Sequence, residues 1–275
     1  MLKTCINQNT LRPLKTDEFL KVAHNAGFAA VELFRDSTFE YLKTHSEGDL
    51  KRLLDDYNLK VTTFNAIELF SLCTEAEFKV MMDYTERLMK IGNKIECDTI
   101  IAVPSFVDNA IVPPDKFFDT TMTRFHLLRT LANQYKFKMA FEPLGFVNNS
   151  VRKMKDAMKI INTADNDGFE PSGLVIDTFH FFLGENKLED LKKIPADRLW
   201  LLHFNDCIKK PIKDLHDKDR VYPGLGYFDL KGFMQMAKSI GYNGYLSMEL
   251  FNEEYYKQDP TKVAKECLKS MKAFL

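Results

Sequence analysis

Four apolar runs in the second half of the chain each end on a side chain that can hold a metal ion. KMAFEP carries Glu142, GLVIDTFH carries Asp177, LWLLHFND carries His203 and YLSMEL carries Glu249. Three carboxylates and one imidazole make a mostly hard donor set, suited to Mn²⁺, Mg²⁺, Co²⁺ or Zn²⁺. A lone acid at the end of an apolar run is ordinarily a cap or a salt-bridge partner. Four such residues in consecutive units are a different matter. Charged side chains are almost never fully buried unless they are paired or bound to a metal.

Something must bring these four ends together. Eight β-rich apolar runs cross the chain: Leu2–Ile6, Ala29–Phe34, Val61–Phe64, Thr99–Val103, Lys138–Phe141, Gly173–Ile176, Leu199–Phe204 and Gly244–Met248. Several are nearly continuous in apolar residues, as strands buried on both faces should be. A helical period follows each of them. The predicted helices begin at Thr16, at Glu47 (to Tyr57), at Thr74 with a capping box to Glu77, at Pro113 (to Tyr135), at Ser150 (to Thr163), at Lys187 (to Lys193), at Asp229 (to Ile240) and at Pro260. Alternating βα units imply a parallel sheet, and eight of them in 275 residues imply an α/β fold closed as one (β/α)8 TIM barrel over residues 1–275. In such a barrel the reacting groups sit at the C-terminal strand ends, where the four candidates fall. A doubly wound open sheet would carry a glycine-rich turn after its first strand, and NQNTLRP has none. The longest irregular stretch, Asn205–Tyr227, is long enough to be functional.

Composition narrows the function further. The formal net charge of −1 removes the basic excess of a protein bound mainly through phosphates, so no nucleic-acid partner is expected. No run approaches the length of a membrane span, and the N-terminus lacks a signal-peptide core. Five scattered cysteines without a C-x-x-C argue for free thiols in a reducing compartment, so a cytoplasmic location is expected.

The motifs E-P-L-G at Glu142, D-T-F-H at Asp177, H-F-N-D at His203 and M-E-L at Glu249 resemble the xylose-isomerase-like barrel superfamily along the whole chain. The stretch from His203-Phe-Asn-Asp206 to Asp219-Arg-Val-Tyr-Pro-Gly-Leu-Gly226 is most similar to the inosose isomerase branch, which acts on 2-keto-myo-inositol. The resemblance implies one divalent ion (Mn, Zn, Co or Mg) held by Glu142, Asp177, His203 and Glu249. It also implies a small keto-polyol or sugar substrate that isomerises through a cis-enediolate, with Glu142 and Glu249 as the proton-transferring pair.

Around that core, His180 and Arg220 are candidate substrate contacts, and Asp206 is a candidate to orient His203 or a substrate hydroxyl. Asn65 and Glu68 after the third run, and Glu32 at the end of the second, are weaker candidates. A homodimer is compatible with the sequence, which does not fix the oligomer. Related readings are a ketose 3-epimerase, a hydroxypyruvate isomerase and an inosose dehydratase, all of which begin with the same enediolate chemistry. The superfamily also holds nucleases that incise DNA at abasic sites. Their extra histidines are missing here: the third run ends in Asn65, the fourth in Pro104-Ser105, and Val221 follows Arg220. A non-catalytic sugar-binding barrel is the remaining alternative.

Overall fold

The computed structural model describes residues 2–165, 168–169 and 171–275. Its strands are β1 (Lys3–Asn7), β2 (Ala30–Phe34), β3 (Lys60–Glu68), β4 (Thr99–Val103), β5 (Lys138–Phe141), β6 (Gly173–Asp177), β7 (Leu199–Phe204), β8 (Asp206–Cys207), β9 (Arg220–Val221) and β10 (Tyr245–Met248). Eight of them close a parallel barrel in the order β1-β10-β7-β6-β5-β4-β3-β2. The expected architecture is therefore the observed one, and each barrel strand falls on one of the eight apolar runs.

The barrel helices are α1 (Thr16–Ala26), α2 (Arg35–Tyr41), α3 (Glu47–Asp56), α4 (Glu75–Ile95), α5 (Phe117–Gln134), α6 (Met154–Ala164), α7 (Thr178–Leu183), α8 (Leu230–Ser239), α9 (Glu253–Tyr256) and α10 (Pro260–Lys272). The Thr74 cap works as its sequence indicates: its hydroxyl accepts from the Glu77 amide, and the Glu77 carboxylate reaches back to the Thr74 amide. Three features depart from expectation. Leu188–Lys193 is a 3-10 helix. The short helices α2 and α7 follow their strands with no intervening turn residue, so no punctuation in the sequence marks them.

Among the described residues the apolar core falls into three clusters, the third being Phe179, Leu183, Cys207 and Leu215 beside the loop after β7. A large one lies between the barrel and its helices, with Phe19, Leu88, Phe125, Ile160 and Phe233 all buried. A small one fills the barrel interior on one side, with Ala66, Ile101, Ala140, Val175 and Leu201. The other side of the interior is polar: Asn7, Glu32, Thr63, His203 and Ser247 are buried. At the N-terminal mouth Trp200 lies across Gly173, where an added Cβ would sit 2.1 Å from the indole. The indole N–H donates to the Asp197 carbonyl at 2.9 Å.

Candidate active site

The four expected residues come from four adjacent barrel strands. Glu142 is the first residue after β5, Asp177 ends β6, His203 lies on β7 and Glu249 follows β10. Asp177 and His203 are register partners, as are His203 and Ser247. All four side chains are buried, and one donor atom from each lies within 4.8 Å of the others. The imidazole Nδ1 is 2.8 Å from Glu142 Oε1 and 3.3 Å from Glu249 Oε2. Its Nε2 is 3.0 Å from Glu32 Oε1.

Such a cluster is electrostatically costly when it is closed off from water. Burial pushes the carboxyls of Glu142, Asp177 and Glu249 above the usual range, and their mutual repulsion adds to it. His203 and Arg220 oppose the shift, yet Asp177 still reaches about 6. For His203, burial disfavours the charge, but the surrounding Glu249, Glu32 and Glu142 carboxylates outweigh it and raise the imidazole well above its ordinary value. Nδ1 therefore faces two acceptors and requires a cation beside it, either a proton or a metal ion. A donor set of three carboxylate oxygens and one imidazole nitrogen fits a divalent ion.

Arg220 closes one side of this cluster. It is 1% exposed, and it donates from Nη1 to Asp177 at 2.6 Å and to Glu249 at 3.0 Å. Its Nη2 bonds Asp217 and the Nε2 of His180. The guanidinium lies between the rings of Phe179 and Phe251, 4.8 and 4.9 Å from their centroids. His180 has its pKa lowered by burial and then by the charges of Arg220 and His203, so it is neutral. Its Nε2 accepts from Arg220, which leaves Nδ1 as the protonated nitrogen. That Nδ1 and the Arg220 Nε are buried donors without a partner among the described residues. Such donors are rare unless a bound molecule completes them.

The long loop after β7 delivers Arg220 to this position. β8 and β9 pair antiparallel within it, Cys207 opposite Arg220. Asp206 is what holds the loop together: Oδ1 accepts from the amides of Cys207 and Phe228, and Oδ2 from that of Gly224. It makes no bond to His203, so its role is that of a turn-forming aspartate. Gly226 packs against it, and a Cβ there would lie 2.2 Å from Asp206 Oδ1.

The other candidates divide. Asn65 reaches the site and donates to Glu249 Oε1 at 3.0 Å. Glu68 does not: it sits on the rim, its side chain 48% exposed, 3.7 Å from Arg35. Three residues not singled out also belong to the site. Asn7 bridges Glu249 and Glu32, and Asn205 donates to Asp177 at 2.9 Å. Thr178 in turn holds Asn205, accepting from its amide at 3.0 Å. The Asn205 position was visible in H-F-N-D, but the amide role of Asn7 had no spacing signal.

Known proteins resemble this chain over nearly its whole length. The chain is 29% identical over 272 residues to an inosose isomerase of Bacillus velezensis, covering 96% of this chain and 95% of that one. It is 30% identical over 260 residues to an inosose isomerase of Bacillus subtilis, covering 93% and 91%. The crystal structure of the IOLI protein with a bound zinc atom superposes with a TM-score of 0.91 at 28% identity, covering 99% of this chain and 98% of that one. The model of the xylose isomerase-like TIM barrel family matches residues 20–274, and the chain belongs to that family.

Proposed function

We propose that this protein is a divalent-metal-dependent isomerase of inososes, moving a carbonyl between neighbouring ring carbons through a cis-enediolate. The observation that carries the reading is the buried set of Glu142, Asp177, His203 and Glu249, with two unpartnered donors beside it. Likeness over nearly full length to inosose isomerases supports the substrate class. A divalent ion held by the four residues would supply Lewis-acid stabilisation of negative charge on the substrate oxygens.

The remaining work falls to the side chains. Glu142 and Glu249 approach from β5 and β10, which are three strands apart in the barrel. One takes the carbon-bound proton and the other returns one to the adjacent carbon. A carboxylate beside a bound cation is a weak base, so the gain comes from acidifying the substrate and from positioning the two glutamates on either side of it. Arg220 Nε and His180 Nδ1 donate to substrate hydroxyl oxygens, and Asn65 and Asn7 fix the rotamer of Glu249. Phe179 and Phe251 exclude water from the guanidinium between them.

The test is incubation of zinc- or manganese-loaded protein with inososes, ketohexoses and hydroxypyruvate in D₂O. Interconversion of inososes with deuterium appearing at the reacting carbon is the expected result. Turnover of a ketohexose or hydroxypyruvate alone would move the protein to a neighbouring activity. Conversion of inososes without any solvent deuterium, together with near-normal turnover in Glu142→Gln and Glu249→Gln, would replace the enediolate with a hydride shift.

A further inference from the structure

Glu32 is fully buried inside the barrel, yet it belongs neither to the four-residue cluster nor to the apolar core. A buried carboxylate is expensive unless every oxygen is engaged. Here Oε1 accepts from Asn7 Nδ2 at 3.3 Å and from the Ser247 hydroxyl, and Oε2 accepts from Thr63 Oγ1 at 2.6 Å. Both oxygens face the same nitrogen, His203 Nε2, at 3.0 and 3.1 Å. Asn7 and Thr63 are its register neighbours on β1 and β3, whereas His203 and Ser247 reach it from β7 and β10 across the barrel.

We propose that Glu32 is the positioning residue for His203: it holds the Nε2 proton, so that Nδ1 is the nitrogen presented to the divalent ion. This rests on the metal-dependent reading above and deepens it. The two nitrogens of an imidazole are set by what each one meets. A carboxylate with no proton of its own can only accept, so Nε2 must donate to it. That leaves the Nδ1 lone pair directed toward Glu142 and Glu249. A carboxylate behind a ligating histidine also increases the electron density at the ligating nitrogen, and losing such a partner typically costs 10–100-fold in metal affinity. Glutamine cannot reproduce the arrangement. Its single carbonyl would have to serve Asn7, Ser247 and His203 together. If the amide turned the other way, its N–H would meet Nε2 and favour the opposite tautomer.

The experiment measures zinc binding by competition with a chromophoric chelator, alongside imidazole NMR of the zinc-loaded wild-type protein. The His203 signals are assigned by their loss in His203→Ala. Glu32→Gln should bind zinc roughly 10–100-fold more weakly than wild type, with an unchanged circular dichroism spectrum. Thr63→Val, which removes a different bond to the same carboxylate, should stay within a few-fold of wild type. In the wild type, NMR should show Nε2 protonated and Nδ1 bound to zinc. If Glu32→Gln binds zinc as wild type does, or if Nδ1 carries the proton, the proposal is overturned while the isomerase reading stands. Equal weakening in Thr63→Val would also overturn it, because any disturbance of the network would then be enough. If Glu32→Gln fails to fold, the wild-type NMR decides alone. A wild-type protein that binds no divalent ion overturns both this proposal and the isomerase reading.

Discussion

Removing the charge of Arg220 while keeping its stem, as in Arg220→Met, should destabilise the metal-free protein in a pH-dependent way. The side chain is 1% exposed and donates to Asp177 and Glu249, both buried. Taking away one member of a buried ion pair costs about 3–5 kcal/mol, because the remaining charge is left unpaired. A chain of 275 residues unfolds with an entropy near 0.6 kcal/mol per kelvin, so the loss corresponds to a melting temperature lower by about 5–9 °C at pH 7. The sign of the pH effect follows from Asp177. Burial holds its carboxyl at about 6, with Arg220 as the leading opposing influence. The folded chain thus keeps a proton that the unfolded chain has already released, and stability falls as pH rises from about 4 toward 6. Without Arg220 the carboxyl rises further, so the fall extends to higher pH and its total is larger. At pH 5 the proton is present in both proteins and the deficit should shrink. Calorimetry of chelator-treated protein between pH 5 and 7.5 reads this directly. Melting temperatures within about a degree of wild type at pH 7, or a deficit that does not change with pH, would refute the claim that Arg220 balances these carboxylates.

Three other outcomes follow from the same site. His203→Ala and Asp177→Ala should lose bound zinc on elemental analysis while keeping the circular dichroism of the barrel, because the core residues beside the ligands (Phe141, Ile176, Phe204 and Leu250) are unchanged. Glu142→Gln and Glu249→Gln should each lower kcat on an inosose by roughly 10²–10⁴ with a much smaller change in KM, measured by steady-state kinetics. Zinc should raise the melting temperature of the wild type more at pH 7.5 than at pH 5. Asp177, with its pKa near 6, and its raised neighbours must give up protons to bind a cation, so protons compete below that pH.

The barrel and its four-residue cluster were legible because each signal was local. A strand buried on both faces reads as an apolar run, and a carboxylate or imidazole at the end of that run stands out against it. The loop after β7 was legible as functional from its length, but the division of labour inside it was not. Asp206 stands three residues after His203, and only the fold shows that its oxygens are spent on the amides of residues 207, 224 and 228. Glu32 was underrated for the opposite reason. It lies inside AVELF, and nothing in a single strand tells that its side chain crosses the barrel to β7. Asn7, Thr63 and Ser247 were invisible for the same cause, since polar residues pointing into a barrel alternate just as surface residues do. The helix α7 was hidden because Asp177 serves twice, ending β6 and capping the next element by accepting from the His180 amide at 3.1 Å.

Trp200, which lies in the notch left by Gly173, is the only tryptophan in the chain. It stands three residues before His203 on β7, so the indole and the imidazole are separated along the strand by about 10 Å. The chain therefore carries a built-in fluorophore at the end of the barrel away from its chemistry. Its emission follows the integrity of the strand bottoms, where β6 and β7 meet. Filling of the opposite mouth by a polyol leaves its surroundings untouched. A ligand at the site then reaches this single emitter only through the stability it adds to the fold, so a shift of its unfolding curve reports binding without a change in the native emission.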